Sequence, residues 1–239
     1  MPTMAEFFLT LPLIDLIAIL WLAGVWSGYS LIADQFGRHR RELAQELDGY
    51  RQRWMERMLE RDNRMTDVNI IIAHHRSGAL FASTTILILA GVVALLGNID
   101  RVLAMVDLLS FATLASRELT EIKVMTLFAI FAYAFFKFAW CLRQHNTALV
   151  VIGAAPLSAQ LGEVADTDFA VRAAKVLTRA NVNFNRGIRA YYFSVAALAW
   201  FIHPLIFMVA TVLVMLVLYR RDYHSATLAA LTVDVGPKA

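Results

Sequence analysis

Cysteine is almost absent: Cys141 is the only one in 239 residues. A lone thiol builds neither a disulfide framework nor a cysteine-based metal pattern, so it says nothing firm about redox compartment. The chain also lacks a phosphate-binding glycine loop, a metalloprotease His-Glu motif and a nucleophile elbow, and His74 and His75 are adjacent rather than one helical turn apart. These absences argue against an enzyme, and no cofactor or metal is implied. Arginine-rich stretches exist, but without stacking aromatics or a recognisable binding fold they do not support nucleic-acid binding. Charge is missing over long intervals, and that is the positive signal.

Hydrophobic residues make up 59% of the chain, and charged ones avoid apolar stretches at about residues 11–32, 80–99, 124–142 and 192–219. Each is long enough to cross a bilayer as a helix of about 20 residues. A soluble domain of this length does not keep so many runs free of charge. The reading is an all-α integral membrane protein with four transmembrane helices, one membrane domain over residues 1–225 and a flexible tail over 226–239. An absent basic n-region and a long first run argue against a cleaved signal.

The basic residues orient the spans. Arg38, Arg40, Arg41, Arg51, Arg53, Arg57, Arg61, Arg64 and Arg76 lie between the first two spans; Arg172, Lys175, Arg179, Arg186 and Arg189 lie between the last two, with Arg143 at the boundary. The positive-inside bias puts both connections in the cytoplasm and, with four crossings, both termini outside. The apolar segment from Val102 to Ser116 is too short for a comfortable crossing and reads as an interfacial or partly buried helix on the outer side.

Leu43, Leu47, Tyr50, Trp54 and Met58 recur at helical spacing, and Asp62, Asn63 and Thr66 supply turn chemistry before the next helix. The first connection is therefore a cytoplasmic helical hairpin. In the third, Gly153 and Pro156 should end a helix, and Asp166 and Thr167 should begin one. At about 100° per residue, Arg172, Lys175, Arg179, Asn183, Arg186 and Arg189 share one face of a basic juxtamembrane helix. With Arg143, these cations are the candidate site for an anion or an anionic lipid head group. Pairing with Glu42, Glu46, Glu56 and Glu60 of the hairpin is the plainer alternative.

Within the spans, His203 precedes Pro204, which cannot donate to the Trp200 carbonyl; a kink would leave that oxygen for a neighbouring group or a water. His203 should face a helix or a polar cavity rather than lipid. Lys137 should snorkel to the inner interface and Asp15 reach the outer one. Gly24 and Gly28 form a small-xxx-small pair suited to close helix packing, within the chain or between copies.

Arg143, Asn146, Ile152, Gly153 and Pro156 stand as R-x-x-N-x-x-x-x-x-I-G-x-x-P, and Gly187 to Phe193 read G-I-R-A-Y-Y-F. With Arg76, Ser77, Ala82, Ser83 and Thr84, these segments resemble an uncharacterised bacterial and plant membrane family, domain of unknown function 599, from Asp34 onward. The resemblance implies a multi-span membrane protein without an established activity. His203 stands where the family pattern calls for glycine, so the resemblance lends it no shared proton-transfer role. The expectation is a non-enzymatic protein of the bacterial inner membrane, forming an oligomeric channel-like or transporter-like unit that favours anions. The alternative is an accessory or scaffold protein that binds anionic lipid or another membrane complex.

Overall fold

The computed structural model describes residues 12–35, 43–108, 116–158 and 168–232. Among them every regular element is helical: α1 (Leu13–Gln35), α2 (Leu43–Leu59), α3 (Met65–Leu96), α4 (Ile99–Asp107), α5 (Arg117–Gly153), α6 (Phe169–Leu198), α7 (Pro204–Tyr223) and α8 (Ala226–Thr232). A 3-10 turn at Ala199–Phe201 separates α6 from α7. The stretches Leu13–Ala33, Met65–Leu96, Arg117–Gly153 and Pro204–Thr232 are long and apolar enough to cross a membrane. At ~1.5 Å per residue α3 and α5 are about 48 and 56 Å long, beyond the ~30 Å hydrocarbon layer, so each also projects into water.

The described residues group into two compact units that alternate along the chain. One draws on Met1–His39, Leu87–Ala132 and Arg189–Arg221; the other draws on Arg40–Ile86, Tyr133–Ile188 and Asp222–Ala239.

In the second unit the hairpin forms as its spacing requires. Met55 and Met58 of α2 are buried with Ile71, Ala148, Ile152, Ala170, Ala173, Ala174 and Leu177. The hairpin turn is tied by Asp67, whose Oδ1 accepts from Trp54 Nε1 at 2.7 Å and pairs with Arg61 at 3.2 Å. Arg64 donates to the carbonyls of Ala155 and Pro156, just past the end of α5. Gly153 ends α5 as expected, while Arg38, Arg40, Arg41, Glu42, Asp166 and Thr167 lie outside the described residues. Of the short apolar segment Val102–Ser116, the first part lies in α4, and 109–115 are not described.

The first unit corrects the fourth span. The expected continuous helix from Tyr192 to Tyr219 is two segments folded back at 199–203. Arg221 Cζ lies 5.8 Å from the Tyr192 ring centre; one straight helix would hold those residues about 44 Å apart. The apolar stretch was readable, but direction is not encoded in hydropathy. The expected tail also differs, because residues 226–232 form α8, which contacts α2.

Candidate functional site

The stripe on α6 divides once the helix is packed. Arg172, Lys175 and Arg179 are exposed, Arg186 is half-buried and Arg189 is buried. Arg189 sits about 100° around the helix from Arg172, at the edge of the projected face. Its Cζ lies 5.8 Å from the Tyr29 ring centre, in the first unit.

Arg179 and Arg186 join Lys137 of α5 in one open groove of about 540 Å³, lined also by Phe136, Trp140, Gln144, Val182 and Asn183. Arg172 and Lys175 lie outside it, and Arg143 stands beside it with its Cζ 5.5 Å from the Trp140 ring centre. No carboxylate is among the lining residues. Asn183 Nδ2 donates to Gln144 Oε1 at 2.9 Å and to the Arg179 carbonyl at 3.0 Å, bracing the two helices across the floor. Lys137 Nζ is 5.1 Å from the Tyr133 ring centre. Phe136 and Trp140 remain 68% and 54% exposed, so one wall is aromatic and faces outward. Cationic donors beside an aromatic wall suit an amphiphile with an anionic head.

Close approach of α5 and α6 needs Gly187. A Cβ there would lie 2.6 Å from the Phe138 ring, which packs with Phe81 and Phe184 at centroid distances of 5.3 and 5.7 Å. Gly24 and Gly28 differ: a Cβ on either would have nothing within 4 Å, so neither packs against a helix of the described chain.

The second unit also holds His145, whose ring centre lies 6.2 and 6.4 Å from those of His74 and His75. A cavity of about 40 Å³ beside it is lined by Arg51, Trp54, Ile71, His74, His145, Leu177 and Asn181. That is room for a water or two rather than an organic ligand. Burial pushes the Arg51 guanidinium below its ordinary pKa, with Asp48 beside it opposing the shift. Among the described residues no group of His, Cys, Asp and Glu has the arrangement of a metal site.

His203 and Pro204 open a helix instead of kinking one. Pro204 is the first residue of α7, and His203 Nδ1 accepts from the Leu205 N–H at 3.1 Å, as an N-cap does. The Trp200 carbonyl accepts from Lys123 Nζ at 2.9 Å, and the Trp200 indole donates to Asp15 Oδ1 at 2.7 Å. Asp15, Lys123 and Trp200 are all buried, at 3%, 2% and 0% exposure. The sequence sent Asp15 to the outer interface and left Lys123 without a role, because both stand near the ends of apolar runs, where contact with the interface is the ordinary expectation. Their burial partners are remote in sequence.

A family model described as "Protein of unknown function, DUF599" matches residues 17–227. No curated protein and no solved structure matches the chain.

Proposed function

Because the chain belongs to the family of unknown function DUF599, we propose its function from the groove: a non-enzymatic, multi-pass inner-membrane protein that holds an anionic lipid head group between α5 and α6. The observation behind this reading is the meeting of Lys137, Arg179 and Arg186 in a groove without a carboxylate, beside outward-facing Phe136 and Trp140. Basic residues near an anionic membrane surface contribute about 1 kcal/mol each. The positive-inside bias orients the arginine-rich connections to the cytoplasm, the leaflet where this groove would meet its ligand, and the N-terminus to the outside.

The second reading, anion passage through a homo-oligomer, draws on the open surface at Gly24 and Gly28, which leaves a small-residue face for another copy. One set of proteins separates the two. Lys137→Gln/Arg179→Gln/Arg186→Gln should lose about 100-fold in affinity for vesicles containing phosphatidylglycerol, as three such contacts imply, while remaining folded. Unchanged vesicle binding removes the lipid reading, and anion flux from liposomes that this variant abolishes favours passage.

A further inference from the structure

The ionisable side chains that the groove leaves aside converge at the turn between α6 and α7. Contacts along α1 give the direction of both segments. Arg189 meets Tyr29, Phe193 stacks on Trp26 at 5.3 Å, and Trp200 bonds to Asp15. Rising numbers on one side meet falling numbers on the other, so the end of α6 is antiparallel to α1. It follows α1 from near the inner end of its apolar stretch, which closes at Ala33, to near its start at Leu13. After the turn the sense reverses: Trp21 Nε1 donates to the Met208 carbonyl at 3.3 Å, so α7 runs parallel to α1.

Two parallel helices that cross the same layer end on the same side. We propose that the chain makes an additional, short crossing from near Arg186 to His203, roughly 18 residues or ~27 Å of chain if helical throughout, returns through α7, and is held at the turn by an intramembrane latch of Asp15, Trp200 and Lys123. The C-terminus then lies on the side of the cytoplasmic hairpin, in keeping with the contact of α8 with α2. The crossing was hidden from hydropathy because it is short and continues from the polar part of α6. Its Ala190, Phe193, Ser194, Ala196, Ala197 and Trp200 are buried against protein.

The latch follows from what a proline removes. Pro204 brings no N–H to the Trp200 carbonyl, and an unsatisfied carbonyl in the bilayer is costly. Lys123 supplies the missing donor, Asp15 supplies the opposing charge, and Trp200 bonds to both, through its carbonyl and its indole. Trp200 also stacks on Phe207 of α7 at 5.2 Å, so one residue fastens α1, α5 and α7 at the turn.

Single cysteines in a Cys141→Ala background test the crossing in intact cells. An impermeant thiol reagent should label Asn98→Cys and spare both Gln52→Cys and Ser225→Cys until the cells are opened. Labelling of Ser225→Cys together with Asn98→Cys overturns the extra crossing; labelling of Gln52→Cys and Ser225→Cys without Asn98→Cys supports it and overturns the orientation instead. For the latch, Ile202→Cys should label from outside on the order of a hundredfold faster when combined with Lys123→Met, as expected for loss of one partner of a buried pair. Adding Asp15→Asn should reverse much of that gain. Trp200→Phe keeps the carbonyl and an aromatic ring but not the indole donor, so it should raise labelling even if Lys123→Met fails to fold. Unchanged labelling in Trp200→Phe, or strictly additive effects of Asp15→Asn and Lys123→Met, overturns the latch.

Discussion

Lysine is handled in opposite ways at two places on α5, near its start and at its middle. Lys123 is buried, donates a hydrogen bond to a backbone carbonyl and shares Trp200 with a carboxylate. Lys137 stands in an open groove with two arginines and no carboxylate on the walls. A charge satisfied inside the protein positions helices, whereas charges gathered at an open surface attract a ligand from outside. Lysine identity alone did not distinguish these roles; the company each side chain keeps does.

The largest expected effect breaks the first half of that comparison. Lys123→Met should destabilise the detergent-solubilised protein by about 3–5 kcal/mol, because it leaves Asp15 buried beside a lost cation. Lys137→Gln should change unfolding by no more than ~1 kcal/mol, the scale of one partly exposed cation–π contact. Equal destabilisation by both substitutions, measured by thermal unfolding, would erase the distinction.

A smaller effect sharpens the second half. Gly187→Ala places a methyl against the Phe138 ring and should cost about 1–3 kcal/mol, since the ring belongs to a packed aromatic group and cannot withdraw freely. Spreading α5 from α6 also widens the groove, so vesicle affinity should fall with stability. Loss of stability with unchanged vesicle affinity would mean that the groove does not depend on this close approach.

The smallest effect concerns the turn. His203→Ala removes the side-chain acceptor for the Leu205 N–H and should cost about 1 kcal/mol, while His203→Asn, which can cap, should restore most of it. Equal stabilities for the alanine and asparagine variants would take the capping role away from His203.

The apolar helices were legible because the bilayer demands about 20 apolar residues in a row and the sequence supplies them openly. The helix of the first connection was legible because Leu43, Leu47, Tyr50, Trp54 and Met58 keep helical spacing, with Met58 buried as that spacing requires. The fold-back was not, because a proline inside an apolar run reads equally as a kink and as a helix start. His203 decides between them through a bond to Leu205, which only coordinates reveal. Arg179 and Arg186 were legible as part of a stripe, but Lys137 was not legible as their neighbour, since helical projection treats one helix at a time. The same projection put Arg189 among them at its edge, where a small rotation turns a side chain from the open face to the packed one.

The turn that joins α6 to α7 also bears on how the protein enters its membrane. Between Leu198 and Pro204 the chain contains Ala199, Trp200, Phe201, Ile202 and His203, with no lysine, arginine or carboxylate among them. During biosynthesis, a helical hairpin with such a tip can pass into the bilayer without dragging a fixed charge through the hydrocarbon layer. In the proposed crossing, the cations at the hairpin's base, Arg186 and Arg189 on one arm and Arg220 and Arg221 on the other, would act as stops that keep it from going further.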